Sequence, residues 1–173
     1  MDRKAAERQT ARPLYTEEQW VRRDRSRWTF VQGVLAPLQF LVFAVSLVLV
    51  LRCLATGEGA AAATTSVIVK TFVLYAIMVT GALWEKDVFG QYLFAEPFYW
   101  EDVVSMLVIG LHTLYLFAVV TGAFGLRGQL LVALAAYFTY VINAAQFLWK
   151  FRRARLAHTP GNAVDPTLLV AGK

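Results

Sequence analysis

The sequence predicts an all-α membrane protein, in which a bundle of four transmembrane helices follows a short N-terminal interfacial helix. The first observation is composition: 58% of the 173 residues are hydrophobic, which is too apolar for a soluble domain. The second is pattern, because four apolar segments are each long enough to cross about 30 Å of hydrocarbon, which takes roughly 20 helical residues. Inside a bilayer every backbone polar group must pair within the protein, so these segments must be helices.

Residues 1–27 are predicted to be a cytoplasmic tail that contains the interfacial helix. Thr16 is placed to cap this helix, with Gln19 three residues on as its capping-box partner. Tyr15 and Trp20 have the spacing of a hydrophobic staple. We therefore expect a helix over residues 17–27, with its arginines at the level of the lipid phosphates.

The membrane domain is predicted to occupy residues 28–149, with spans at about 28–51, 65–94, 102–121 and 128–149. Residues 150–173 then form a basic cytoplasmic tail, which Pro160, Gly161 and Pro166 predict to be disordered.

Lysine and arginine counts predict the orientation. Eight of these residues precede Trp28 and four follow Trp149 within residues 150–155, whereas the two short outer loops hold only Arg52 and Arg127. Both termini are therefore predicted to be cytoplasmic. The net charge of +5 is concentrated in the tails beside the membrane, so lipid headgroups are the expected partner and nucleic acid is not.

The stretch WEKDVFGQYLFAEPFYWED, residues 84–102, holds five of the twelve acidic residues of the chain. If the second helix continues to about Ala95 and turns at Pro97, Glu85 lies level with His112 across the hairpin, each about 15–20 Å from the turn. Ionisable residues inside spans are costly and point to function. The same half of the predicted bundle collects further polar residues: Gln32, Gln39, Ser105, Tyr140, Asn143 and Gln146.

Structural explanations of these residues stay open. Amide and serine side chains in spans often join helices, and a lone histidine can be a satisfied core residue. Glu101 and Asp102 fit a helix N-terminus, and Glu85, Lys86 and Asp87 fit the edge of a membrane. Glu101 lies about 15 Å from the histidine along the predicted helix. The site is thus either Glu85 with His112 or Glu101 with Ser105.

Motifs of soluble enzymes are absent: the sequence contains no P-loop, GxGxxG, HExxH, CxxC or GxSxG. Four runs instead carry a resemblance, VQGVLAPLQFLVF (31–43), TGALWEKDVFGQYLFA (80–95), FYWEDVVSML (98–107) and YVINAAQF (140–147). They closely resemble the 3-vinyl bacteriochlorophyllide hydratases of photosynthetic bacteria, and the similarity extends over about residues 14–156.

The resemblance implies an integral membrane enzyme of bacteriochlorophyll synthesis. Such a hydratase, of the carbon–oxygen lyase class, adds water to the ring-A vinyl group of a magnesium chlorin or bacteriochlorin and gives a 1-hydroxyethyl group. It implies no cofactor, with magnesium present only in the substrate. It also implies a multi-pass location in the bacterial inner or intracytoplasmic photosynthetic membrane. The bilayer is an expected partner, and contact with other enzymes of the pathway or with a second copy of the chain stays open.

The expected chemistry assigns roles to the acids. Protonating the terminal vinyl carbon leaves a cation that the macrocycle delocalises, and water then adds at the inner carbon. This requires a proton donor, a positioned water with a base, and negative charge near the cation. Burial favours the neutral form of a carboxyl group, so Glu85 is the predicted donor. Asp87, Gln91 or Glu101 orients the water or stabilises the cation, and Lys86 modulates the acids or meets the substrate's propionate.

The remaining candidates are predicted to bind the substrate. His112 is the predicted axial ligand of the substrate's magnesium. Four amide side chains are predicted to bond ring carbonyls or water: Gln32, Gln39, Asn143 and Gln146. Ser105 and Tyr140 complete the predicted binding set. Two rival functions remain at this point. One is a non-enzymatic pigment-binding or assembly protein that uses His112, and the other is a small proton-coupled transporter that uses Glu85 and Lys70.

Overall fold

Residues 14–157 are described by the computed structural model. They form five α-helices, with a short 3₁₀ turn, Glu96–Phe98, before the fourth, and they contain no strand: α1 (Glu17–Arg25), α2 (Arg27–Thr56), α3 (Ala60–Phe89), α4 (Tyr99–Thr121) and α5 (Gly125–Ala157). The predicted all-α class is confirmed. Residues 1–13 and 158–173, which carry part of both predicted tails, lie outside the described residues.

The helix α1 begins at the predicted capping box. The Thr16 hydroxyl accepts a hydrogen bond from the backbone N–H of Gln19 at 3.3 Å, and the Gln19 side-chain oxygen accepts one from the backbone N–H of Thr16 at 2.9 Å. The rings of Tyr15 and Trp20 lie 4.9 Å apart, as a hydrophobic staple requires. The helix ends at Arg25 because Ser26 is extended and caps α2 instead.

The helices α2 to α5 are each long and apolar enough to cross a membrane. Many large apolar side chains point outwards from them, among them Phe40, Leu41, Phe117 and Phe138. A soluble bundle would not expose so much apolar surface, whereas a bilayer covers it. The four helices therefore indicate a multi-pass membrane protein.

The bundle consists of two tightly packed hairpins, α2–α3 and α4–α5, with sparser contacts between them. Polar side chains join the helices within each hairpin. The Gln32 amide donates to the Thr80 hydroxyl at 2.7 Å in the first, and the Asn143 amide donates to the Ser105 hydroxyl at 2.8 Å in the second. Such interhelical hydrogen bonds are common where lipid surrounds the helices.

Two helix boundaries differ from the prediction in ways that affect the site. The helix α3 ends at Phe89 rather than near residue 94, because Gly90 adopts a left-handed conformation (φ 85°) and its N–H closes the helix on the Lys86 carbonyl. Residues 90–95 fold back as a loop. At the other end of the chain, α5 continues to Ala157, so residues 150–157, expected in a disordered tail, are helical.

Candidate active site

The turn between α3 and α4 brings two buried acids together. Glu85 lies near the end of α3 and Asp102 lies in the first turn of α4. Their side chains are hydrogen-bonded to each other, and the two residues are only 5% and 2% exposed. A hydrogen bond between two carboxyl groups requires a proton on one of them. We call Glu85 and Asp102 the carboxyl pair.

The loop of residues 90–95 holds this pair through its backbone. The Phe94 N–H donates to Asp102 Oδ2 at 2.7 Å, and the Ala95 N–H donates to Glu85 Oε2 at 3.2 Å. Phe94 has a φ of 60°, which is unusual for a bulky residue and costs free energy. This conformation turns two consecutive N–H groups towards the carboxyl pair.

Aromatic rings enclose the same end of the bundle. Trp84, the neighbour of Glu85, meets Phe98 edge-on with 5.6 Å between ring centroids, and Phe98 stacks on Phe147 at 5.9 Å. Apolar walls exclude water and strengthen the electrostatic interactions of the groups inside. The carboxyl pair therefore lies in a sheltered, aromatic-walled end of the bundle.

Tyr15 closes this end from the N-terminal segment. Its ring stacks on Phe89 at 5.8 Å and lies 6.3 Å from Phe98. The residue is 3% exposed, and its hydroxyl has no hydrogen-bond partner within residues 14–157. Burial raises the pKa of the Tyr15 hydroxyl above its usual value; Arg23 opposes this shift and Glu85 adds to it. The hydroxyl is therefore neutral and within electrostatic range of Glu85.

Glu101, adjacent to Asp102 in sequence, has a different environment. Its carboxylate accepts a hydrogen bond from the Lys150 ammonium, which also donates to the Pro97 carbonyl and lies 5.0 Å above the Phe98 ring. This ion pair joins the start of α4 to α5. Glu101 is thus compensated by direct contact, whereas the carboxyl pair forms no salt bridge within residues 14–157, and Lys150 acts on Asp102 only as a nearby charge.

Three of the predicted binding amides have buried polar atoms without a hydrogen-bond partner among the described residues. These atoms are both side-chain polar atoms of Gln39, the carbonyl oxygen of Asn143 and that of Gln146. Leaving a buried amide unpaired costs about 1–3 kcal/mol. Asn143 and Gln146 lie three residues apart on one face of α5. These atoms are suited to a polar ligand or to water.

Comparison with known proteins identifies the family of the chain. The family model described as "2-vinyl bacteriochlorophyllide hydratase (BCHF)" matches residues 15–153. The chain belongs to this family. The numbers 2 and 3 denote the same ring-A vinyl group under two conventions for the macrocycle, so the resemblance carried by the four sequence runs is confirmed.

Two relatives of this family are named 2-vinyl bacteriochlorophyllide hydratase. The protein of Cereibacter sphaeroides is 70% identical over 146 residues, which cover 84% of this chain and 90% of the relative. That of Rhodobacter capsulatus is 66% identical over 143 residues, which cover 83% of each chain. No solved structure matches the chain.

Three residues predicted to act in this hydratase-family site lie away from the carboxyl pair. Asp87 accepts a hydrogen bond from the Ser26 hydroxyl at 2.8 Å. The Lys86 ammonium donates to the Tyr92 hydroxyl at 2.8 Å, and Gln91 donates to a carbonyl of its own loop. All three are exposed. The structure assigns them local contacts at the surface and brings none of them to the pair.

The prediction that Glu85 and His112 lie at the same depth across the hairpin is wrong. The loop of residues 90–95 folds back where the second helix was expected to continue. His112 lies about 15 Å from Asp102 along α4. Its Nε2 is 2.8 Å from the Lys70 ammonium, and its Nδ1 donates to the Val108 carbonyl at 2.8 Å. We call Lys70 and His112 the lysine–histidine pair. Binding of the substrate's magnesium by His112 stays a prediction that requires Lys70 to release Nε2.

Two other predicted residues have partners in the described structure. Tyr140 lies beneath the lysine–histidine pair, with the Lys70 ammonium 4.1 Å from its ring centroid, and Gln32 is bound to α3 as described above. No three His, Cys, Asp or Glu side chains of residues 14–157 are close enough to hold a metal ion.

Sequence reasoning missed Asp102 as a partner of Glu85 and missed the hydroxyl of Tyr15. The signal for Asp102 was Gly90, which ends α3 early.

Proposed function

We propose that this chain adds water to the ring-A vinyl group of a magnesium bacteriochlorophyllide or chlorophyllide, and that the carboxyl pair supplies and recovers the proton. Family membership supports the reaction. One observation carries the mechanism: two buried carboxyl groups, Glu85 and Asp102, share a hydrogen bond in an aromatic enclosure. A sheltered carboxylic acid is the kind of donor that protonation of an alkene requires.

The first step protonates the vinyl group. Asp102 accepts the shorter backbone hydrogen bond, 2.7 Å against 3.2 Å for Glu85, and such bonds stabilise a carboxylate. Glu85 is therefore the partner that carries the proton. It transfers this proton to the terminal vinyl carbon, and the two electrons of the double bond form the new C–H bond. The negative charge left on the pair stabilises the cation delocalised over the macrocycle.

The second step adds water. The water oxygen bonds to the inner carbon, and the carboxylate of Glu85 accepts the proton that the water loses. The carboxyl pair then has its original proton again, and nothing has been oxidised or reduced. For this reason we propose that the reaction needs no cofactor and belongs to the carbon–oxygen lyase class, with magnesium present only in the substrate.

Substrate binding is proposed to occur where the two hairpins meet. Contacts between them are sparse, so a planar macrocycle could enter there from the bilayer. The unpaired amide atoms of Gln39, Asn143 and Gln146 are available to ring carbonyls or to ordered water.

The proposed location is the bacterial inner or intracytoplasmic photosynthetic membrane, with both termini and the carboxyl pair on the cytoplasmic side. Arginines of α1 and of the end of α5 support this orientation, because both elements lie at the end of the bundle that holds the carboxyl pair. Association with other enzymes of bacteriochlorophyll synthesis, or with a second copy of the chain, stays a prediction.

A labelling experiment tests this function. The purified protein in detergent is incubated with a vinyl bacteriochlorophyllide in D₂O without any cofactor, and the product is analysed by mass spectrometry and NMR. We expect a 1-hydroxyethyl product with one deuterium on its methyl carbon. A substrate analogue with an ethyl group in place of the vinyl group should stay unchanged. Return of the vinyl pigment unchanged would favour a pigment-binding protein, and a methyl group without deuterium would contradict the protonation step.

A further inference from the structure

Tyr15 is the buried hydroxyl at this end of the bundle that packing does not explain. Phenylalanine in its place would keep the ring contacts with Trp20, Phe89 and Phe98. The hydroxyl itself has no partner among the described residues, although it is buried. A buried hydroxyl without a hydrogen bond destabilises a fold. Its presence therefore points to a use other than stability.

The position of Tyr15 is defined on several sides. The N-terminal staple fixes its ring against Trp20 at 4.9 Å, and the Arg23 guanidinium lies 5.6 Å from the ring centroid. Phe98, on the other side, ends the 3₁₀ turn that follows the loop holding the carboxyl pair. The Tyr15 hydroxyl also interacts electrostatically with Glu85. The N-terminal segment thus contributes a polar group to the enclosure of the carboxyl pair.

We propose that the Tyr15 hydroxyl binds the water molecule that attacks the vinyl cation. This inference rests on the proposed function. The phenol oxygen accepts a hydrogen bond from one O–H of the water, and the other O–H points to Glu85. A lone pair of the water is then free to form the C–O bond. The O–H bond directed at Glu85 breaks as its proton passes to the carboxylate.

Tyr15 keeps its own proton throughout. A neutral phenol both donates and accepts hydrogen bonds, so it can hold a water molecule without competing with the carboxyl pair for the proton. The capping box at Thr16 and Gln19 then has a second consequence, because it fixes the residue that precedes it. The interfacial helix is part of the active site and not only an anchor.

The test is Tyr15→Phe, which removes one oxygen atom and keeps the ring. The matched control is Tyr115→Phe, because Tyr115 is also buried but lies about 20 Å from Asp102 along α4. Hydration of a vinyl bacteriochlorophyllide and thermal unfolding are measured for both variants and for Glu85→Gln. We expect kcat of Tyr15→Phe to fall about 10- to 100-fold, as misplacement of a reactant does, with KM unchanged and thermal stability equal or higher. Tyr115→Phe should keep the original kcat.

Two results would overturn the role of Tyr15. One is an unchanged kcat in Tyr15→Phe, and the other is a loss of kcat together with a lower unfolding temperature, which would indicate a packing role. If Glu85→Gln is inactive in the same assay, either result leaves the proposed function standing. Full activity of Glu85→Gln would overturn the proton-donor role of the carboxyl pair, and with it the water-binding role of Tyr15, while the hydration reaction itself would stand.

Discussion

The carboxyl pair and the lysine–histidine pair are both buried, and both link α3 to α4, yet they differ in how completely they are satisfied. Both ring nitrogens of His112 have partners, and the Lys70 ammonium lies against Tyr140. The carboxyl pair forms no salt bridge among the described residues, depends on a strained loop for its N–H donors, and lies near an unpaired tyrosine hydroxyl.

The difference shows how this bundle uses buried polar groups. In the middle of the bundle, Lys70 and His112 satisfy each other and a helix carbonyl and so join two spans, as interhelical hydrogen bonds in membranes do. At the helix ends the loop backbone supplies the donors, and groups are left over that can meet a substrate. We therefore expect substitutions in the carboxyl pair to reduce catalysis and those in the lysine–histidine pair to reduce stability.

The largest effect is expected for Asp102→Asn. The amide has the shape of the carboxyl group but cannot hold the negative charge that stabilises the cation, so kcat should fall about 10²- to 10⁴-fold. Glu101→Gln is the matched control, because it changes the adjacent acid that Lys150 already compensates. Steady-state hydration rates measure both. Equal losses of kcat in the two variants would contradict the assignment of a catalytic role to Asp102 and not to Glu101.

The next effect concerns the lysine–histidine pair. His112→Ala leaves the buried Lys70 ammonium without its acceptor, so we expect a loss of about 1–3 kcal/mol in the free energy of unfolding. The double variant Lys70→Met/His112→Leu should recover most of this loss, since both polar partners are gone. Unfolding in mixed micelles measures it. Loss of pigment binding by folded His112→Ala would instead support the magnesium role.

A smaller effect is expected at Phe94, whose φ of 60° aims two N–H groups at the carboxyl pair. Valine disfavours this conformation and glycine allows it, so Phe94→Val should lose about 10- to 100-fold in kcat and Phe94→Gly should stay close to the original rate. Phe124, with a φ of 64° near the start of α5, provides the control. Phe124→Val should strain its turn without changing kcat. If Phe94→Gly is as slow as Phe94→Val, the ring matters and not the backbone.

The smallest effect is expected for Asp87→Asn. Asp87 bonds Ser26 at the surface, and surface substitutions usually change free energies by less than about 0.5 kcal/mol. The hydration rate should therefore change by no more than about 2-fold. A loss comparable to that of Asp102→Asn would mean that the catalytic site extends to the Ser26 side of α3.

The sequence predicted the helices better than their ends. Apolar length identifies a span, and the capping box at Thr16 is a local pattern, so both could be found without coordinates. The end of α3 depends on Gly90 adopting a left-handed backbone, which competes with an apolar run that continues to Ala95. The register of the α3–α4 turn depends on where α3 ends, and this register decides which residue of α4 lies beside Glu85. Asp102 was consequently interpreted as a helix cap.

Phe94 illustrates the same limit within the site. Its positive φ follows from the tertiary fit of the loop against the carboxyl pair, and nothing in its side chain indicates it. The partners of His112 were also out of reach, because a lysine in a span can extend along its helix to the membrane surface, and the sequence does not show which way Lys70 turns. It turns inwards instead and is fully buried.

The most direct measurement is the single-turnover hydration rate of Glu85→Gln with saturating vinyl bacteriochlorophyllide, together with the affinity for that pigment. Glutamine keeps the size and the hydrogen-bonding capacity of the side chain but cannot donate the acidic proton. We expect the pigment to bind with unchanged affinity while the hydration rate falls about 10²- to 10⁴-fold. Hydration at the original rate by the folded variant would contradict the role of Glu85 as the proton donor.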